Sequence, residues 1–225
     1  MKAFLLPFLL LVSGCSTVET DIAIAEAASG IAPAESEAET AAKSKIRFLW
    51  REQVYDAGLQ DSVSTIAIDQ ALADQLTDAE RAALGYVITF IGSECEWDGE
   101  ANEEYSNLKC KALTALNLGY QCSDQHLGFL QNWFRNDQEV LARLASCPRV
   151  PFTASSQQTF NEVYLTTRGD TIQVWFSAGG VNVPMNAAWE WTEENIFRVQ
   201  DSAISLVKVE KAEVVRSELG LEEGL

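Results

Sequence analysis

The feature that most constrains this chain is a change of hydrophobic period near Pro151. Before it, apolar residues recur three and four apart, the spacing of one helix face. After it they alternate, the spacing of one strand face. Upstream, Ile46, Leu49, Trp50, Val54 and Tyr55 predict a first helix that Gly58 ends, and Ile66, Ile68, Leu72 and Leu76 predict a weaker second one. Thr77 and Glu80 have the spacing of a capping box, in which side chain and backbone satisfy orphan amides reciprocally. Leu84, Val87, Ile88 and Ile91 then form the buried stripe of a helix running to about Cys95. Further helices are expected over residues 103–117, with Tyr105, Leu108 and Leu116 inward and Gly119 as the stop. Two more start at Ser123, with Leu127, Leu130, Trp133 and Phe134, and around Asn136 and Glu139, with Val140, Leu141 and Leu144 before Pro148.

Downstream, Val163 and Leu165 alternate with polar neighbours. Ile172, Val174 and Phe176 share one face with Trp175 on the other, and then come Trp189 and Trp191, Phe197 and Val199, Ile204 and Leu206. Turn signals stand at Gly169-Asp170, Gly179-Gly180, Glu193-Glu194-Asn195 and Asp201-Ser202. The pattern predicts a four- to five-stranded antiparallel sheet of consecutive hairpins. Its apolar face must be covered by the helices, because an open sheet alone would leave that face wet. The expected class is α+β: an N-terminal, disulfide-stabilised helical region over 43–150, packed on or followed by an antiparallel β region over 151–210. A tail over 211–225 follows, in which Val214, Val215 and Leu219 offer one more amphipathic turn and the last five residues fray.

The start of the chain sets its compartment. Lys2 precedes an apolar run over residues 3–12 that holds one Pro7. A transmembrane helix needs about 20 residues, so this run is too short to span, and it ends in small residues as a cleavable signal does. Within Leu11-Val12-Ser13-Gly14-Cys15, the last four residues resemble the lipobox of bacterial lipoproteins. The resemblance implies that the Cys15 thiol carries a diacylglycerol, that the signal peptide 1–14 is removed, and that the new amine receives an acyl chain such as palmitate. At about 0.8 kcal/mol per buried CH₂, two or three acyl chains hold a protein on a membrane where one would not. Ser16 in place of Asp implies the outer membrane, with the protein on its inner leaflet facing the periplasm. From Ser16 to about Thr40 the chain is rich in Ala, Glu, Ser and Thr and lacks aromatic residues. That composition cannot bury a core, so 15–42 reads as the lipidated cysteine and a flexible tether.

Lipid on Cys15 leaves Cys95, Cys110, Cys122 and Cys147. An even number in an exported chain predicts two disulfides. If the helices starting at Ser123 and Asn136 form an antiparallel hairpin, Cys122 and Cys147 share one end. Cys122–Cys147 is therefore favoured, with Cys95–Cys110 by remainder, each stabilising by roughly 3 kcal/mol. No C-x₂-C knuckle supports zinc.

The net charge is −17, yet 47% of the residues are hydrophobic and six are Trp. Such a chain has a core and an acidic surface that repels nucleic acid and favours basic partners. It carries no P-loop, dinucleotide fingerprint, H-E-x-x-H or nucleic-acid motif. The single histidine, His126, stands four residues after Cys122. A Cys–His nucleophile needs a free thiolate, which an oxidised cysteine cannot supply, and no G-x-S-x-G elbow is present. His126 is therefore read as a partly exposed capping or packing residue. Glu94, Glu96, Asp98, Glu100, Glu103 and Glu104 cluster, but Glu103 stands where a calcium loop needs Gly and Lys109 where it needs Glu. They read as a solvated loop or a dock for a basic partner. Arg168-Gly169-Asp170 reads as a hairpin turn rather than an adhesion motif. Trp189 and Trp191 share a strand face, filling the core or lining a groove.

The expectation is a lipid-anchored, non-enzymatic protein-binding or inhibitor module of the bacterial envelope, without catalytic residue, metal or cofactor. Trp189, Trp191, Glu96, Asp98 and Glu100 are its candidate partner surface, and a basic envelope or secreted protein is its candidate partner. The alternatives are a small-ligand-binding or enzymatic pocket between helices and sheet, and a structural or assembly accessory of the outer membrane.

Overall fold

The computed structural model describes residues 45–92, 108–148 and 155–219. The described residues fall in one unit, Glu39–Leu225. Two strands come first, β1 (Ile46–Asp56) and β2 (Asp61–Ile68). Five helices follow: α1 (Gln70–Ala73), α2 (Asp78–Thr89), α3 (Leu108–Ala115), α4 (Asp124–Trp133) and α5 (Gln138–Ala145). The remaining strands are β3 (Ser156–Arg168), β4 (Thr171–Asn182), β5 (Ala187–Gln200), β6 (Ala203–Lys211) and β7 (Val215–Glu218). They form one antiparallel sheet in the order β2-β1-β3-β4-β5-β6, with β7 beside the early part of β5. The class is α+β and mostly sheet.

The helices therefore do not begin the domain, and the sheet has seven strands rather than four or five. The first two expected helices are largely strands, for a local reason. The pairing of β1 with β3 shifts register between Arg47 and Leu49. That bulge lets neighbouring Phe48 and Leu49 both sink to 0% exposure, which erases the period of two. Beyond Trp50, β1 pairs only with β2, and Arg51 to Tyr55 are exposed on both faces, so no alternation can show. Gly58 lies in the turn between them, where its N–H donates to Asp56 Oδ1 at 2.8 Å. Ile66 and Ile68 pack on the core from β2, and Leu72 from α1.

The capping box is present. The Thr77 hydroxyl oxygen accepts from the Glu80 N–H, and Glu80 Oε2 accepts from the Thr77 N–H at 2.9 Å. Glu80 is buried, and its other oxygen accepts from the Thr167 hydroxyl at 2.6 Å, which ties the start of α2 to the end of β3. α2 stops at Thr89, short of Cys95. Past α3 the chain turns at Asn117, with φ +54°, where the Leu118 N–H donates to the Leu113 carbonyl, two residues before the expected stop. Ser123 caps α4 and Asp137, rather than Asn136, caps α5. The second oxygen of Asp137 accepts from the Leu206 N–H at 2.9 Å and so fastens α5 to β6. The α4–α5 hairpin is closed by Cys122–Cys147, whose Cα atoms are 5.9 Å apart. Cys110 is also disulfide-bonded, and Cys95 lies outside the described residues.

The helices pack on one face of the sheet, here called inner. Tyr86 of α2 meets Phe134 and Phe197 at ring-centroid distances of 5.1 and 5.9 Å, joining two helical segments to β5. Burial pushes the Tyr86 phenol up to about 12. From β3 and β4, Phe160, Val163, Leu165, Ile172, Val174 and Phe176 complete this layer.

Two expected turns are strand. Gly179 and Gly180 lie within β4. A Cβ on Gly180 would stand 2.3 Å from the Trp189 ring on β5, so glycine is needed there for close approach. Glu193-Glu194-Asn195 lies within β5, where Asn195 is buried and donates to Glu193 at 3.0 Å. The segment read as a last amphipathic turn is β7. The turns at Gly169-Asp170 and Asp201-Ser202 are present. Arg135 donates to the Asp201 and Ser202 carbonyls at 2.7 and 2.8 Å, clamping a turn whose two residues both have positive φ.

Candidate functional site

Three clusters hold side chains with chemistry. The first is buried in the helical layer. His126 is 0% exposed, not partly exposed as expected. Its Nδ1 accepts from the Cys122 N–H at 3.1 Å, which leaves the proton on Nε2, 2.9 Å from the Thr89 hydroxyl oxygen. Thr89 in turn donates to the Gly85 carbonyl. Burial, helped by nearby Lys109, lowers the His126 pKa to about 4. Lys109 donates to the Thr89 and Gly92 carbonyls at 3.1 and 3.2 Å, and Gln121 also donates to the Thr89 carbonyl. These groups close off the C-terminal end of α2, whose last carbonyls have no partner within the helix. A neutral imidazole with both nitrogens engaged is a structural device here, beside an oxidised cysteine that cannot act as nucleophile.

The second cluster is the expected tryptophan pair at one end of the inner face. Trp189 and Trp191 do share a face of β5. Trp191 is 6% exposed and edge-on to Phe176, while Trp189 is half-buried over Gly180. The Lys211 ammonium lies 5.0 Å from the Trp191 ring centroid. Among the described residues, the Trp191 Nε1–H has no acceptor. The pair is mainly core, and Glu96, Asp98 and Glu100 lie outside the described residues, as do Glu94, Glu103, Glu104 and Cys15.

The third cluster lies on the outer face of the sheet. Cross-strand pairing sets Arg47 opposite Tyr164, Trp50 opposite Glu162, and Tyr164 opposite Trp175. Strands run ~4.8 Å apart, so Tyr164 and Trp175 are direct neighbours, and Trp50, paired with Glu162, stands diagonally to Tyr164, giving an oblique row over β1, β3 and β4. The Tyr164 and Trp175 centroids are 5.5 Å apart, with ring planes at 59°. The Lys45 ammonium sits 4.2 Å from the first and 4.5 Å from the second. The Arg47 guanidinium lies 5.2 Å from Trp50 and 5.9 Å from Tyr164. Glu162 joins the row, accepting from Arg47 at 3.0 Å and from the Tyr164 hydroxyl at 2.8 Å. That hydrogen bond raises the Tyr164 pKa above the usual phenol value. Trp50 Nε1 donates to Glu52 at 3.3 Å.

No family model, no curated protein and no solved structure matches the chain. Among the described residues, no helix is long and apolar enough to cross a membrane. Nor does any group of three or more His, Cys, Asp and Glu residues there stand ready to hold a metal ion.

The outer row was only half visible in the sequence. Trp175 stands opposite the Ile172, Val174, Phe176 stripe, and Tyr164 stands between Val163 and Leu165, so alternation alone sends both outward. Trp50 was hidden by its place in an apparent helix.

Proposed function

We propose that the protein is a lipid-anchored, non-enzymatic binding module of the bacterial envelope, and that it binds through the outer face of its sheet. The anchor is Cys15 in the lipobox-like Val12-Ser13-Gly14-Cys15, with residues 16–42 as the tether. The observation that carries the binding reading is the row of Trp50, Tyr164 and Trp175 on the sheet face opposite the described helices. Aromatic side chains present large contact area at low conformational cost, and protein-binding surfaces are enriched in them. A chain of net charge −17 attracts basic partners, which fits a role as receptor or inhibitor of a basic envelope or secreted protein. The one histidine is neutral, enclosed and committed to hydrogen bonds within the fold, which favours the binding reading over one that uses it as a catalyst.

A photo-crosslinking amino acid at position 175 in cells tests this. It is expected to give a discrete adduct that is lost when Cys15→Ala releases the protein from its membrane. The same probe at Glu139, exposed on α5, is expected to give none. Equal labelling at both positions, or none at 175, contradicts the proposal.

A further inference from the structure

The outer face holds a cation in a form that a partner could mimic. We propose that Tyr164 and Trp175 form a receptor for a lysine side chain presented by a basic partner protein, and that Lys45 fills this receptor in the unbound state. This rests on reading the outer face as the binding surface and names the chemistry of its ligand. A cation gains from an aromatic face when it lies within about 6 Å of the ring centroid. Lys45 meets that condition for two rings at once, tilted so that both faces look toward one point.

The partners of Lys45 mark it as a placeholder. Among the described residues its ammonium has no hydrogen bond or ion pair beside the two ring contacts, and the residue is exposed. Arg47, by contrast, is fixed by Glu162 as well as by its rings. A cation held by ring faces alone, at an exposed site, is replaced at little cost by another of the same kind. The surroundings favour a second cation over a neutral ligand. Glu162 hydrogen-bonds Tyr164 on one side, and Glu194 stands opposite Trp175 in the strand pairing on the other. A sugar stacking on the row would have to displace both Lys45 and Arg47, and it brings no charge to satisfy those carboxylates.

The placeholder gives an unusual prediction: removing a residue from the binding face strengthens binding. The full-length protein in detergent is titrated with an oligolysine peptide at fixed ionic strength, with tryptophan fluorescence as the readout. Lys45→Ala is expected to bind about two- to five-fold tighter than wild type, the size of one exposed cation–π contact. Trp175→Ala is expected to bind more weakly than wild type. In the double variant the gain from Lys45→Ala disappears, which separates loss of competition from mere loss of one positive charge. Trp175→Phe, which keeps a ring, is expected to recover part of the affinity and guards against a folding defect. Unchanged affinity in Lys45→Ala, or the same gain with and without Trp175, overturns the proposal. Capture of a partner at position 175 together with unchanged affinity in Lys45→Ala would leave the outer face as binding surface and remove the lysine receptor alone.

Discussion

The two faces of the sheet carry aromatic residues of similar kind under different constraints. On the inner face, Phe160, Phe176 and Phe197 are essentially inaccessible, and each meets another ring edge-on or tilted within the layer beneath the helices. On the outer face, Trp50, Tyr164 and Trp175 are half-buried, and among the described residues long cationic side chains rather than helices lie against their rings. Removing an inner ring leaves a cavity in a close-packed interior. Removing an outer ring exchanges one wet contact for another. The same residue type therefore specifies the fold on one face, while on the other no described helix lies over it.

Substitutions should expose this asymmetry. Phe197→Ala is expected to cost about 3–5 kcal/mol in denaturant unfolding, because its neighbours Tyr86 and Phe134 cannot close the space. The next effect belongs to acid. His126 has a pKa of about 4 in the fold, against an ordinary value of 6.5 when unfolded. Between these values the unfolded chain binds the extra proton, so stability falls as pH drops from 6.5 toward 4. The full loss approaches about 3 kcal/mol. A His126→Gln variant is expected to flatten that part of the profile. Gly180→Ala should cost about 1–3 kcal/mol, since its methyl group would run into the Trp189 ring. The smallest effect is expected outside: Trp175→Ala should lower stability by about 1 kcal/mol or less.

How much of this was readable in the sequence depended on how regularly each segment is buried. β3 and β4 pair along most of their length and keep one face inward, so Val163, Leu165, Ile172, Val174 and Phe176 alternate as a half-buried sheet requires. Ser123 shows its capping role because it precedes a well-defined apolar stripe, and the Cys122–Cys147 pairing follows from the hairpin that it begins. β1 was misread as helix because its bulge buries two successive residues, and its outer half projects past β3 with neither face covered. The glycines and acidic residues inside β4 and β5 were misread as turns. Gly180 is there to admit the Trp189 ring, and the Glu193–Asn195 pair satisfies itself by a hydrogen bond. The first is a contact between two strands and the second a side-chain hydrogen bond, and hydrophobic alternation registers neither. The outer row is of the same kind. It exists because β1, about a hundred residues upstream, pairs with the β3–β4 hairpin and so brings Trp50 beside Tyr164 and Trp175.

The most direct measurement takes one sample of Trp175→Ala and determines both its unfolding midpoint and its affinity for the lysine peptide. The account predicts a midpoint close to that of the wild type together with a clear loss of affinity. A protein that binds as before, or one that has lost its fold along with its binding, would contradict the assignment of recognition to the outer face.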